Sequence, residues 1–270
     1  MVRLITWNVA RRVGALAAQA AAVGEREPDV VALQEVTART LPLWEAACET
    51  LGLRNIACTL HDAQPGRAPA NRRRTGVLLA ARESLEPLPG LLPVPWPETA
   101  LAARVHGIEF HTVHVPNAAN GAIKPQTLAA VRAGLAARAG PRVLCGDLNT
   151  PRREHPDGRV WSFARDTRGG LRPERAGFWD EAETGLVPGL RELGFTDAFR
   201  ALHGYGAREP SWTFARISGH GGGWRLDHVF CSLELEPASC AYHHAWRDDG
   251  LSDHSALETD LTTKTSTPGA

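Results

Sequence analysis

Acidic, amide and histidine side chains follow short aliphatic runs at five separated places in this chain. These places are Trp7-Asn8, Gln34-Glu35, Gly146-Asp147-Leu148-Asn149, Arg225-Leu226-Asp227 and Ser252-Asp253-His254. If the runs are strands, their ends can bring these groups together at one edge of a sheet. Carboxylate and amide oxygens suit a divalent cation, and a histidine beside them suits proton transfer to a phosphate. The pattern predicts an enzyme that cleaves phosphodiesters.

A phosphodiester resists attack because its oxygens already carry negative charge. Hydrolysis therefore needs a cation, a deprotonated water and help for the departing oxygen. Glu35 is the first candidate to bind Mg²⁺ or Mn²⁺, since hard cations prefer oxygen ligands. Asp253 could add a second carboxylate, and Asn8 could hold a water of the cation or orient the carboxylate. Taken alone, Glu35 could equally be an acidic residue at the start of a helix.

The segment Gly146-Asp147-Leu148-Asn149 follows the apolar run Val143–Cys145. Gly146 allows a close backbone approach, and Asp147 and Asn149 can project to the same side because they are two residues apart. Asp147 could orient or deprotonate the attacking water, and Asn149 could donate a hydrogen bond to a phosphate oxygen. The alternative is an Asp/Asn turn with local hydrogen bonds, since Pro151 follows.

Two histidines are candidates for proton transfer. His254 could donate to the scissile phosphate, with Asp227 fixing its tautomer and raising its pKa. Such acid–base help typically contributes about 10²–10⁴-fold. His114 and Asn117 fall at the end of an alternating strand; either could donate to phosphate, and His114 could protonate a leaving alkoxide. The alternative for an Asp–His pair is an ordinary surface contact.

Composition limits the class of protein. With 270 residues, 43% of them hydrophobic, the chain can bury the core of one large domain. Lys+Arg and Asp+Glu are both 30, so DNA would have to be held by a localised basic face, and a small substrate remains the alternative. The five cysteines include no CxxC pair, which favours a reducing compartment. We expect a cytoplasmic monomer without a membrane span.

Strand-like and helical patterns alternate along the chain. The predicted strands are Val2–Val9, Asp29–Leu33, Asn55–Leu60, Gly76–Arg82, Ala102–His106, Ile108–Val115, Arg142–Cys145, Ser211–Phe214, Leu226–Ser232, Ala238–Ala245 and Ser255–Leu261. The predicted helices are Ala15–Val23, Pro42–Leu51, Pro125–Ala139, Leu186–Leu193 and Asp197–His203. Pro87–Pro97 should be a surface excursion and Pro151–Gly177 a long functional loop. We expect a single domain over residues 1–261 and a disordered tail over 262–270.

In their order from Ile5 to His254, these blocks resemble the endonuclease/exonuclease/phosphatase superfamily, and within it the exonuclease III-type apurinic/apyrimidinic (AP) endonucleases. The resemblance implies a four-layer α/β sandwich, with two packed mixed β-sheets flanked by helices and the metal at their shared edge. It implies the following roles: Glu35 as the principal metal ligand with Asn8 and Asp253 nearby, Asp147 at the attacking water, Asn149 and Asn117 near the phosphate, and Asp227 paired with His254.

An aromatic block of the chain is also similar to these AP endonucleases. Trp212, Phe214, Trp224 and Leu226 correspond to the residues around their abasic-sugar pocket, and a flat apolar pocket would accept a sugar that lacks its base. The alternative is that these side chains simply pack in the core. The chain departs from the pattern at His114, where those enzymes carry a tyrosine, and at Ala10, where they often carry an acidic residue.

Basic residues follow several predicted strand ends, as Arg11-Arg12, Arg72-Arg73-Arg74 and Arg152-Arg153. Such pairs suit a phosphate backbone, although charge runs are usually solvated surface. The preferred hypothesis is a Mg²⁺- or Mn²⁺-dependent phosphodiesterase acting on duplex DNA, beside abasic sites or at 3′ ends. The alternatives are the same chemistry on a small or lipid-derived phosphoester, and a catalytically silent adaptor.

Overall fold

The computed structural model describes residues 1–61, 74–214 and 222–264. Its strands are β1 Val2–Asn8, β2 Val30–Thr37, β3 Asn55–Cys58, β4 Thr75–Ala81, β5 Leu85–Pro87, β6 Ala100–Val105, β7 Ile108–His114, β8 Arg142–Asp147, β9 Arg153–Glu154, β10 Val160–Trp161, β11 Phe195–Asp197, β12 Trp212–Phe214, β13 Gly222–Trp224, β14 Asp227–Ser232, β15 Leu235–His243 and β16 Ala256–Thr263. Its helices are α1 Leu16–Gly24, α2 Leu41–Thr50, α3 Ile123–Ala136, α4 Phe178–Leu186, α5 Ala198–His203 and α6 His244–Asp248. Within these ranges no helix is both long and apolar enough to cross a membrane.

Most strands belong to two six-stranded mixed sheets. Sheet A has the order β15-β16-β1-β2-β4-β3, and sheet B has the order β11-β14-β8-β7-β6-β5. Each sheet contains one parallel pair, β1 with β2 in sheet A and β7 with β8 in sheet B. Parallel neighbours end at the same edge of a sheet, so each pair delivers the residues at its carboxyl end to one place.

Alternation along the strands explains the layering. In β1, Leu4 packs in the cluster between the two sheets, whereas Ile5 and Trp7 point to the other face. That outer cluster includes Trp44 of α2. A third cluster lies between sheet B and helices α3 and α4, where it includes Leu128. The result is a helix–sheet–sheet–helix sandwich, which confirms the predicted fold class.

Three expectations about the elements need correction. The helix predicted at Leu186–Leu193 is displaced, because α4 ends at Leu186 and Gly189–Leu193 forms a short 3₁₀ helix. Pro188 cannot continue an α-helix. The predicted loop Pro151–Gly177 contains the small hairpin β9–β10. Strand β16 reaches Thr263, two residues into the predicted tail, and residues 265–270 lie outside the described ranges.

Glu154 fastens the hairpin β9–β10 to the rest of the domain. Its carboxylate accepts hydrogen bonds from Arg200 at 2.7 Å and from Arg225 at 2.8 Å. Burial alone would raise the pKa of Glu154, but the two guanidinium groups outweigh it and lower the pKa to about 2. Arg225 also contacts Asp197, so the segment after β8 is tied to α5 and β14.

Candidate active site

In sheet B, three neighbouring strands bring His114, Asp147 and Asp227 to the same level. His114 and Asp147 are partners across the parallel pair, and Asp147 and Asp227 are partners across the antiparallel pair β8–β14. Gly146 is required just before Asp147, because its φ is 125° and a Cβ there would lie 2.2 Å from the carbonyl oxygen of Val113. The topology therefore builds half of the site.

Sheet A supplies the other half. Asn8 ends β1, and Glu35 has a left-handed φ of 59° where the register between β2 and β4 shifts. The loop before β16 carries His254, whose carbonyl oxygen accepts a hydrogen bond from Trp7 Nε1 at 2.9 Å. Ser252 Oγ donates to the carbonyl oxygen of Asn8 at 2.6 Å. These two bonds hold the histidine loop against the end of β1.

Asp147 lies at the centre of the site with only 1% of its surface exposed. Its Oδ2 accepts from Asn8 Nδ2 at 3.1 Å, and its Oδ1 accepts from the backbone N–H of Asn149 at 2.9 Å. Asn8 Oδ1 accepts from the backbone N–H of Ala10 at 3.0 Å. Asn8 therefore orients the carboxylate of Asp147, and both roles expected for it beside the metal ligand stay predictions.

Asn149 differs from expectation. Its Nδ2 donates to the carbonyl oxygen of Val115 at 2.8 Å and faces Asp147 Oδ2 at 3.3 Å. In this structure the amide therefore fixes the loop and the carboxylate of Asp147, and its role at the phosphate stays a prediction. The local hydrogen bonds of the expected Asp/Asn turn are present here, since the backbone N–H of Asn149 donates to Asp147 Oδ1.

His254 and Asp227 form a buried pair. His254 Nδ1 lies 2.8 Å from Asp227 Oδ2, and His254 Nε2 lies 3.8 Å from Asp147 Oδ2. Burial alone would lower the pKa of His254, but Asp227 and Asp147 outweigh it and raise the pKa to about 10. The ring is therefore an imidazolium at neutral pH, with its Nε2–H directed into the cleft. Ser211 Oγ and the Tyr242 hydroxyl fix the backbone of Asp227.

His114 connects Glu35 to this centre. Its Nε2 lies 3.7 Å from Glu35 Oε1 and 3.7 Å from Asp147 Oδ2. Asn117 lies at the same end of sheet B, and its Oδ1 accepts from the backbone N–H of Ala119 at 3.1 Å. This bond leaves the amide nitrogen of Asn117 as the group that can donate into the cleft. Residues from both sheets therefore line one cleft of about 530 Å³.

The donor set fits a hard cation. Buried Glu35 contributes a carboxylate, which also accepts from Arg11 Nε at 2.9 Å, and Asp147 contributes another. Burial, together with the charge of Asp227, raises the pKa of Asp147. In the described parts of the chain, the buried Asp227 Oδ1 has no hydrogen-bond partner. The cleft therefore holds negative charge that a divalent cation could neutralise.

Two further sets of side chains offer ligand atoms for a metal ion. Asp147, Asp227 and His254 offer ligand atoms within 4.8 Å of one another in the described ranges. Because His254 Nδ1 is engaged by Asp227, we interpret this trio as an acid–base group. Asp253 is exposed at the rim of the cleft, and its Oδ2 accepts from Trp212 Nε1 at 3.3 Å. Its role at the metal stays a prediction.

The aromatic residues form a wall of the cleft rather than a part of the core. Trp212 and Trp224 are partners in the hairpin β12–β13, and their rings stack at 5.3 Å with an interplanar angle of 2°. Phe214 packs against both rings, and Leu226 is buried beneath the wall with 4% exposure. Phe163, which the sequence did not indicate, extends the wall through an edge contact with Trp224 at 5.2 Å.

A buried ion pair under the site was missed as well. Lys124 Nζ donates to Glu183 Oε1 at 2.7 Å and to the carbonyl oxygen of Asn149 at 2.8 Å, and both side chains of the pair are fully buried. Glu183 Oε2 accepts from Thr150 Oγ1 at 2.7 Å. The pair supports the loop that follows Asp147. Its partners lie on separate helices far apart in sequence, so no local pattern reveals it.

The structure describes some of the basic residues that were expected to contact a phosphate backbone. Arg11 contacts Glu35, and Arg12 donates to the carbonyl oxygen of Gly250 at 3.1 Å. Arg72 and Arg73 lie outside the described ranges. Arg11 therefore contacts Glu35, the predicted metal ligand, and Arg12 supports the loop that precedes His254.

Most of the chain matches one known protein family. Residues 5–254 match the family described as "Endonuclease/Exonuclease/phosphatase family". The DNA repair nuclease APEX1 of Danio rerio is 34% identical over 138 residues, a match that covers 48% of this chain and 41% of that protein. The chain thus spans less than half the length of this relative.

Three solved structures share the fold. An AP endonuclease from Archaeoglobus fulgidus has a TM-score of 0.69 at 21% identity, covering 98% of this chain and 100% of that one. A 3′ phosphatase, NExo, from Neisseria, bound to product DNA hairpin, has a TM-score of 0.65 at 23% identity, covering 97% and 100%. A 3′-5′ exonuclease from Neisseria meningitidis has a TM-score of 0.66 at 22% identity, covering 96% and 99%.

Proposed function

Because this chain belongs to the Endonuclease/Exonuclease/phosphatase family, we propose that it is a divalent-metal-dependent phosphodiesterase that hydrolyses DNA. The observation that carries the proposal is the position of Asp147. This buried carboxylate is oriented by Asn8 and lies 3.8 Å from an imidazolium that Asp227 holds in place. A base and a proton donor thus face the same small volume of the cleft.

The side chains divide the work of hydrolysis. Asp147 accepts the proton of the attacking water, since its carboxylate is fixed by Asn8 and Asn149. His254 donates from Nε2 to an oxygen of the scissile phosphate, and its charge favours the more negative transition state. His114, between Glu35 and Asp147, protonates the leaving alkoxide, and Asn117 donates to a second phosphate oxygen.

Glu35 is proposed as the principal ligand of a Mg²⁺ ion, with Mn²⁺ as a substitute and Asp253 nearby. When bound, the cation neutralises phosphate charge that the side chains alone leave exposed. The buried carboxylate of Glu35 supplies oxygen donors, and Arg11 holds one of its oxygens in place. The identity of the ion is a proposal.

DNA is the proposed substrate because the matched relatives are a DNA repair nuclease and an AP endonuclease, and one fold neighbour was solved with a DNA hairpin. The half-exposed wall of Trp212 and Trp224 suits a sugar that lacks its base, or stacking of a base. The second candidate is a small or lipid-derived phosphoester, which zero formal charge and His114 favour. A monomeric, cytoplasmic state stays a prediction.

An activity panel tests the function. Abasic duplex, nicked duplex, RNA and a chromogenic phosphodiester are each assayed with Mg²⁺, with Mn²⁺ and with a chelator. We expect metal-dependent cleavage of a DNA substrate, and binding that weakens steeply with salt because backbone phosphates release counterions. Intact abasic and 3′-blocked duplexes in both metals would remove the DNA-repair proposal. Activity on the chromogenic ester alone, with little salt dependence, would favour the small substrate.

Glu35→Gln tests the ligand assignment independently of turnover. Removal of a residue that only hydrogen-bonds a metal ligand typically weakens metal binding by roughly 10–100-fold. Loss of the charge of Glu35, the ligand itself, is expected to weaken Mn²⁺ binding by at least as much. Free Mn²⁺ is measured by electron paramagnetic resonance during a titration of the protein. Glu49→Gln, at an exposed position of α2, is the matched control and should bind like the wild type. Equal affinity in both variants would assign the cation to other carboxylates.

A further inference from the structure

Three arginines converge on Phe163 and Ala164, next to the cleft. The guanidinium carbon of Arg152 lies 5.9 Å from the centre of the Phe163 ring. Arg175 Nη1 donates to the carbonyl oxygen of Phe163 at 3.2 Å, and the backbone N–H of Arg172 donates to that of Ala164 at 2.9 Å. Two of the three side chains and one backbone are therefore anchored to the same two residues.

These arginines differ from their neighbours in charge pairing. Arg159 pairs with Asp157, and Arg165 pairs with Asp180. In the part of the chain that the structure describes, Arg152, Arg172 and Arg175 form no salt bridge with a carboxylate, although all three are half-buried. Partly desolvated, unpaired cations are costly unless an anion completes the site.

The charges also act on one another. Burial lowers the pKa of Arg152, and the positive charges of Arg172 and Arg175 lower it further. Asp166 offsets this in part, but its Oδ1 already accepts hydrogen bonds from the backbone N–H groups of Arg168 and Gly170. The group is therefore a concentration of positive charge that no nearby carboxylate of the described residues fully offsets.

We propose that Arg152, Arg172 and Arg175 form a second anion site, which binds a backbone phosphate of the substrate strand beside the scissile one. The site rests on the proposed function, since it extends the same cleft: Phe163 lines the cleft, contacts Trp224 and lies 4.5 Å from Lys124 Nζ. Guanidinium groups match phosphate oxygens in geometry and remain charged at any physiological pH. The ligand is a diester phosphate, held on the far side of Phe163 from the stacked tryptophans.

The test compares two double variants with the same loss of charge. Arg152→Gln/Arg172→Gln removes the proposed site, and Arg153→Gln/Arg168→Gln removes two exposed arginines of the same segment. Duplex binding is measured by fluorescence anisotropy in chelator over a range of salt. We expect the first variant to bind roughly tenfold more weakly. The negative slope of the log association constant against log salt should become shallower by about 0.9, the effect of one phosphate contact. The control should change the slope much less.

A chemical double-mutant cycle identifies the phosphate. Duplexes carry a single neutral methylphosphonate at successive positions on either side of the scissile bond. At one position the methylphosphonate should weaken binding by the wild type. At that same position it should leave the already weaker binding by Arg152→Gln/Arg172→Gln unchanged. Additive losses at every position, or equal salt slopes in the two variants, would overturn the proposal. A wild type that binds no DNA would instead refute the proposed function.

Arg172→Gln alone guards against misfolding, because its anchoring bond is made by the backbone and is retained. Its melting temperature should match that of the wild type, and its salt slope should still fall below that of Arg153→Gln. If both single variants gave the wild-type slope, the anion site would have no support.

Discussion

Asp147→Asn is expected to lower kcat on DNA by about 10²–10⁴-fold, the usual contribution of a positioned general base. The substitution keeps the shape of the side chain and an oxygen for the backbone N–H of Asn149, but an amide cannot take the proton of the attacking water. The fold should survive, because the change removes a buried carboxylate that faces Asp227. The melting temperature should therefore be equal to or higher than that of the wild type.

Single-turnover cleavage and a thermal melt measure the two effects. Asp248→Asn is the matched control, since Asp248 is exposed and, among the described residues, pairs only with Arg247; it should cleave at the wild-type rate. Unaltered cleavage by Asp147→Asn would assign the base to another group. The adaptor hypothesis would be favoured if the wild type bound DNA without turnover and Asp147→Asn bound it with the same affinity.

Lys124→Met should destabilise the protein by about 3–5 kcal/mol, because it leaves the carboxylate of Glu183 buried without its cation. Glu183→Gln removes the other partner and should also be strongly destabilising. The double variant Lys124→Met/Glu183→Gln should cost clearly less than the sum, since no uncompensated charge is left. The free energy of unfolding is measured by denaturant titration for all four proteins.

A surface pair on the same helix provides the control. Arg132 on α3 contacts the exposed Glu192 at 3.0 Å and is itself partly exposed, so Arg132→Met should cost at most about 1 kcal/mol from loss of the ion pair. Equal losses for Lys124→Met and Arg132→Met would mean that the buried pair does not stabilise the fold. Additive losses in the double variant would show that Lys124 and Glu183 are not coupled.

The strands at the site could be predicted because the residues that define each strand are adjacent in the sequence. Alternation and an apolar run locate β1 and β8, and the polar residue after each run marks the edge where the site lies. Asp147, Asp227 and His254 were placed together correctly for this reason. The resemblance to a known family supplied the sandwich, which local patterns alone could not specify among α/β architectures.

Partners that are distant in the chain could not be predicted in the same way. The hydrogen bond from the Asn149 amide depends on the position of Val115, just after the neighbouring strand β7, so no local pattern reveals it. The pair of Lys124 and Glu183 requires two helices to be docked before it exists. Helix α4 was not predicted, and the helix predicted at Leu186–Leu193 falls on a 3₁₀ segment, where Pro188 was the local signal against an α-helix.

Both ends of the polypeptide supply groups to the reaction centre, and β16 near the C-terminus pairs with β1 at the N-terminus. Asn8 and Glu35 lie in the first part of the polypeptide and Asp227 and His254 in the last, and a backbone cut between them would give two fragments that each lack essential groups. Neither fragment should turn over substrate alone. Mixing them would recover activity only as fast as β16 pairs again with β1 inside sheet A, so the enzymatic signal would report the rate at which the two fragments reassemble.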